Sequence, residues 1–228
     1  MDRNDRLWQL WKILQLASPA LPVGAYSYSE GLEVLADQGT LKTAEDLQTW
    51  LTLELSYGSI AVEGAVLVRS YQAMQNQDST QLRYWNEWWS ALRETQELRQ
   101  QSWQMGRSLV RLGMAWEPSL QPWFEAAGDP CNFVTAFATI AAHWNLPLEA
   151  IVGAYLHSWL TNLVNAGVKL IPLGQTAGQQ ILLHLQPALA QATHSALSQE
   201  DDQLGGWSHG LAIVSSQHET LYTRLFQS

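Results

Sequence analysis

A single cysteine, Cys131, in 228 residues excludes an internal disulfide and any multi-cysteine metal site. Charge is scarce as well. Asp, Glu, Lys and Arg make up 14% of the chain, against roughly 25% in an average soluble domain. Its 12 Lys and Arg are scattered and the net charge is −9, so a nucleic-acid partner, which requires clustered cations, is not expected. No apolar stretch approaches the ~18–20 residues that cross a membrane. The polar start Met1-Asp2-Arg3-Asn4-Asp5 is followed by no apolar leader core, and a reducing cytoplasm is the expected compartment.

Catalytic signatures are missing too. There is no G-x-x-x-x-G-K-[ST] and no G-x-S-x-G. The six histidines never pair at i,i+3 or i,i+4, so no helical metal site is expected. His143 and His157 read as hydrogen-bonded structural residues on apolar helices, and His218-Glu219 as at most a weak metal site. Gly174-Gln175-Thr176-Ala177-Gly178 opens a helix without the lysine that a phosphate site would use; close helix packing explains its glycines. Glu30 and Glu33 share a helix face. They read either as a carboxylate pair or as acids stabilised in a first helical turn, and nothing nearby completes a catalytic set.

What is present is helical periodicity. Leu47, Trp50, Leu51 and Leu55 make one stripe behind a Thr43/Asp46 capping box. Leu82, Trp85, Trp89 and Leu92 make another, capped by Asp78 or Ser79. Leu98, Ser102, Met105, Leu109 and Leu112 form a third, with Gly106 open to close approach. Asp129-Pro130 reads as a cap with Pro at the first helical position. The run from Leu148 to Val164 is apolar nearly all round and should be central, ending near Ile171-Pro172. A long helix over 173–189, perhaps kinked at Pro187, and a last amphipathic piece over 215–226 complete the set. Among 12 tryptophans, Trp85, Trp88 and Trp89 in one run read as core bulk or as an interface patch. No alternating strand pattern appears. The expectation is an all-α, single-domain bundle of about eight to ten helices over residues 1–228, with 1–5 and about 199–209 flexible. Low charge beside 46% hydrophobic residues suggests a surface covered by partners; a neutral Gln-, Ser- and Thr-rich surface is the alternative.

Four blocks resemble the UreF family of urease accessory proteins. The first is the loop Ala17-Ser18-Pro19-Ala20-Leu21-Pro22-Val23-Gly24-Ala25-Tyr26-Ser27-Tyr28-Ser29-Glu30-Gly31-Leu32-Glu33. The second runs from Glu97-Leu98-Arg99 through Gln104-Met105-Gly106-Arg107. The third begins at Ala141-Ala142-His143-Trp144 and closes on Val168-Lys169-Leu170-Ile171-Pro172-Leu173-Gly174-Gln175-Thr176. The fourth is His218-Glu219-Thr220 with Tyr222, Arg224, Leu225 and Phe226. Together they span about half the chain, in order.

The resemblance implies an all-helical, non-catalytic protein that needs no cofactor of its own and forms a homodimer. It implies binding to the D or H accessory protein and to the GTPase accessory protein G, on apo-urease, in support of nickel insertion. Tyr26, Tyr28 and Glu30 in the loop, with Tyr222, Arg224, Leu225 and Phe226 in a C-terminal segment 215–228, are the expected contacts for D/H. Lys169 and Gln175 are expected contacts for the GTPase, although Lys169 also complements a helix dipole. Met105, Gly106 and Arg107 are a possible dimer contact. The alternative function is regulation of the partner GTPase through an arginine supplied in trans, with Arg107 and Arg224 as candidates.

Overall fold

The structure is a computed structural model that describes residues 3–205 and 208–228, the Arg3 side chain excepted. It consists of helices and connecting segments, with no strand among the described residues. Among the described residues twelve α-helices follow one another: α1 (Arg3–Leu16), α2 (Leu32–Asp37), α3 (Ala44–Tyr57), α4 (Ser59–Gln75), α5 (Ser79–Leu92), α6 (Gln96–Trp116), α7 (Gln121–Ala127), α8 (Phe133–His143), α9 (Leu148–Leu170), α10 (Gln175–His184), α11 (Gln186–Ser198) and α12 (His209–His218). That exceeds the eight to ten expected. The excess comes from short pieces such as α2 and α7 and from breaks inside longer apolar stretches, where a 3.6-residue period has too few turns to register.

The expected caps at two helix starts are present. Thr43 accepts from the Asp46 N–H while Asp46 reaches back to the Thr43 N–H, a complete capping box, and Asp78 caps α5. Other boundaries differ. The Asp129–Pro130 bond is cis and lies ahead of α8, whose N-cap is Asn132. The long helix expected over 173–189 is two helices, with Pro187 in the first turn of α11, where its missing N–H costs nothing. The expected last piece is shifted: α12 ends at His218 and the chain continues without helix to Ser228.

One contiguous apolar core holds the bundle together. Its centre is α4 against α8 rather than α9. Alanines 136, 138, 141 and 142 on α8 let the helices approach closely, and nearly all of α8 is buried. α9 buries one face, including Ile151, Leu156, Leu160, Leu163 and Val164, and leaves His157, Asn165 and Lys169 exposed. Trp85 and Trp89 are core residues, while Tyr84 is half exposed. α6 reaches the segment before α8 at Gly106, where an added Cβ would stand 2.0 Å from the Cys131 carbonyl oxygen.

Of the segments expected to be flexible, residues 1, 2, 206 and 207 lie outside the described residues. Within the second segment, Asp201–Gln203 forms a 3-10 turn pinned by Arg69, whose Nε donates to Asp201 Oδ1 at 2.6 Å and whose Nη2 donates to the Gln199 carbonyl at 2.7 Å. No single helix among the described residues is long and apolar enough to cross a membrane.

Candidate functional site

The proline-rich loop and the chain after α12 both run outside α-helices, and they meet each other. Gly24 and Gly31 take positive φ values of 81° and 82°, and Glu30 takes 49°. These turns fold residues 17–31 against the bundle. At Gly31 an added Cβ would lie 2.4 Å from Val214 Cγ2 on α12, so backbone conformation and packing both require glycine there.

Residues 219–228 return along this loop. The Ser228 main-chain oxygen accepts from the Ser29 N–H at 2.7 Å, the Glu30 N–H at 3.1 Å and Ser29 Oγ at 2.7 Å. Gln227 N–H donates to the Ser27 carbonyl at 2.8 Å. Ser228 Oγ donates to Gln101 Oε1, Gln101 Nε2 donates to Glu30 Oε1, each at 2.7 Å, and Trp159 Nε1 donates to Glu30 Oε2 at 2.9 Å. Both Glu30 oxygens are therefore satisfied inside the protein.

A second, charged layer lies beneath the tail. His218 is fully buried between two carboxylates, with Nδ1 2.8 Å from Glu97 Oε2 and Nε2 3.2 Å from Glu33 Oε2. Glu33 also accepts from the Leu225 N–H at 2.6 Å and the Phe226 N–H at 3.0 Å. Arg224 donates to Glu97 Oε1 at 2.9 Å and to the Glu219 carbonyl. Arg224 and the His218 ring thus meet two carboxylates, and the backbone of the tail is tied to α2 and α6.

The expected contact residues divide accordingly. Tyr26 is 70% exposed, Leu225 66%, and Tyr222 fully exposed. Lys169 and Gln175 are exposed and, with Tyr26, Asn162 and Asn165, line one open groove of about 300 Å3. Lys169 Nζ stands 5.7 Å from the centre of the Phe226 ring, joining groove and tail. Other expected residues face inward. Phe226 is buried, as is Glu30. Tyr28 is buried too; its hydroxyl donates to Gln104 Oε1 at 2.7 Å, and burial raises its pKa despite the nearby Arg107 charge. Met105 and Gly106 are packed within the chain's own core, so of the expected dimer contact only Arg107 is exposed.

Sequence reading missed the Glu33–His218–Glu97 cluster. Its members stand 185 and 121 residues apart, and no spacing rule connects them. The unpaired His218 and the paired acids of the loop were the visible fragments of it.

Behind the loop lies a partly open pocket of about 60 Å3 bordered by Glu30, Glu63, Arg93, Ser102, Tyr155 and Trp159. Tyr155 donates to Glu63 Oε1 at 2.9 Å, and Ser208 donates to Glu54 Oε1 at 2.8 Å. Burial pushes the Glu54 and Glu63 carboxyls up to about 7, Glu30 and Glu94 adding repulsion. Cys131 is pushed up to about 12 by burial and then by Asp129, which leaves it a thiol at neutral pH. Among the described residues, no group of three or more His, Cys, Asp or Glu side chains is arranged to hold a metal ion. The built features are a polar interior and a two-layered tail clasp, both suited to positioning surface groups.

Comparison with known proteins agrees with that reading. The UreF family model matches residues 41–186. The chain is 58% identical over 216 residues to the urease accessory protein UreF of Nostoc sp., covering 95% of this chain and 94% of the relative. It is 52% identical over 220 residues to the protein of that name from Microcystis aeruginosa, covering 96% and 98%. With the one from Alkalilimnicola ehrlichii it shares 41% over 225 residues, covering 98% and 95%.

Proposed function

The chain belongs to the UreF family of urease accessory proteins, and from that premise we propose that it is a cytoplasmic scaffold that joins the D/H accessory protein and the GTPase accessory protein G on apo-urease while nickel is inserted. A role in urease maturation follows from the membership itself, and the family is not itself catalytic. The finer assignment of partners, of nickel as cargo and of a homodimer is our reading. The observation that carries it is the tail folded onto the loop, which turns Tyr26, Tyr222 and Leu225 outward while Glu30, Glu33 and Glu97 are each hydrogen-bonded within the chain. Exposed aromatic and aliphatic side chains on a hydrogen-bonded frame are the anatomy of a docking surface. Lys169 and Gln175, in the adjoining groove, suit a contact to a second partner.

Co-purification tests this. Full-length protein should capture the D/H partner, and a chain lacking residues 219–228 should lose that capture while keeping its helical circular dichroism. Undiminished capture by the shortened chain overturns the docking role. Arg224→Ala should weaken the complex by ~1.5–3 kcal/mol, the scale of charge-assisted hydrogen bonds.

The alternative, an arginine supplied to the partner GTPase, now rests on Arg107. That side chain is exposed, whereas Arg224 is engaged by Glu97 and Glu219. GTP turnover by the partner should then drop on Arg107→Ala; an unchanged rate with the complex intact removes this reading.

A further inference from the structure

Arg69, Arg83, Arg93, Arg99 and Arg224 each donate a hydrogen bond within the chain. Arg107 and Arg111 differ. They lie one turn apart on one face of α6, are exposed, and make no hydrogen bond or ion pair among the described residues. Both edge an open groove of about 580 Å3 between α6 and α7. Its floor is apolar: Val110 and Met114 are half-buried between the arginines and the groove, and Phe124 of α7 is buried beneath. The two helices come together at Gly113, where an added Cβ would stand 3.1 Å from Phe124 Cζ. The other side carries Glu125, which accepts from Gln121 Nε2 at 2.8 Å, and Asp129 in the turn after α7, both exposed. No ion pair joins these acids to the arginines among the described residues. Four of the ten residues along the groove are charged, in a chain where charge reaches only 14%.

We propose that this groove receives an amphipathic helix of a partner protein, one with acidic side chains along one flank of its apolar stripe and basic side chains along the other. Apart from Arg107, none of these residues belongs to the surfaces named above. Opposite charges that face each other over an apolar floor without meeting are left to water. A helix laid between them supplies both sets of partners: carboxylates for the forked donors of Arg107 and Arg111, and cations for Glu125 and Asp129. A helix acidic on both flanks would meet Glu125 and Asp129, and one basic on both would meet the arginines, so the rim charges select the occupant and fix the direction in which it lies. The length agrees. α7 has seven residues, about 10 Å, which matches two turns of a helix. Two turns present apolar side chains at i, i+3, i+4 and i+7, enough to cover Val110, Met114 and Phe124. An extended peptide would find no sheet edge to join, since no strand exists among the described residues.

The test uses the full chain and a fluorescein-labelled synthetic helix of about 18 residues, with leucines at i, i+3, i+4 and i+7, glutamates along one flank and lysines along the other. Fluorescence anisotropy should show saturable binding with a Kd of about 10–100 µM. Arg107→Glu combined with Arg111→Glu should weaken it about 10-fold or more while leaving the thermal unfolding midpoint in place, because both side chains are exposed. The same variant should bind a peptide with lysines on both flanks about 10-fold better than wild type does. Met114→Trp, which fills the floor without altering charge, should weaken the glutamate–lysine peptide as well. Absence of saturable binding to the wild-type chain overturns the proposal. So does binding undiminished in either variant, or a wild-type chain that holds the all-lysine peptide as tightly as the glutamate–lysine one. An arginine variant whose own mass falls in sedimentation assigns the groove to contact between copies and overturns it too. Since no accessory protein takes part, failure here leaves the tail-docking reading standing, and failure of tail docking leaves this one standing.

Discussion

Glu63 shows what one buried carboxyl does to the whole chain's response to pH. Its folded pKa, pushed up to about 7 by burial, lies above the ~4.3 of an unfolded glutamate. Between those values the native state holds a proton that the unfolded chain has lost, so stability falls as pH rises from ~4.5 to ~7 and is flat above. At one site this amounts to about 3–4 kcal/mol. Glu63→Gln keeps the carbonyl that accepts from Tyr155 and cannot ionise. Urea denaturation from pH 5 to pH 8 should therefore show a shallower decline in the variant, and a higher stability than wild type at pH 8. His218→Ala has the opposite character. It leaves Glu33 and Glu97 without the ring between them, at a cost of ~2–3 kcal/mol, the scale of hydrogen bonds to charged groups. Hydrogen exchange at the Leu225 and Phe226 amides, which donate to Glu33, should accelerate about 100-fold. An unaltered exchange rate would show that the tail is held by other contacts.

At the scale of elements, α3 and α6 carry the clearest tests. Thr43→Ala removes half of the capping box at the start of α3 and should lower stability by ~1 kcal/mol in thermal unfolding. Gly106→Ala drives a methyl group into the backbone of residues 131–133, and a cost of ~2 kcal/mol or more is expected because backbone cannot rotate aside. These two positions also show what was legible beforehand. Thr43 with Asp46 was readable, since capping chemistry is local and its residues are three apart. Gly106 was readable as a close-approach site, but not as to what approaches. Sequence suggested a second copy, and the neighbour is the chain's own segment before α8. The break at Pro187 was half visible, because proline marks a discontinuity without saying whether a helix bends or begins anew. α2 and α7, with six and seven residues, are too short to show a period.

For the whole molecule, the all-helical class was legible because long stripes such as Leu148–Val164 and Leu98–Leu112 repeat over several turns. The candidate site was legible only in outline. Its two halves carried the family's blocks, but their joining through His218 spans most of the chain and leaves no local signal. Exposure was likewise misread at Phe226, whose burial depends on the Lys169 side chain and on α2 beneath it. Sequence distinguishes apolar from polar, whereas inward from outward in an irregular segment is settled by contacts between distant residues.

The clasp between residues 27–33 and 218–228 has a consequence for timing. Contacts closing a loop of nearly the full chain form late, because their entropic cost is met before any neighbour rewards it. During synthesis, α2 and the proline-rich loop emerge early and wait with Glu33 unpaired until residues 218–228 leave the ribosome. The outward-facing surface is then completed only once residues 218–228 have joined the loop. Ribosome-stalled chains that stop short of His218 should fail to capture the D/H partner even with α3–α11 folded; capture by such chains would show that the clasp is not required.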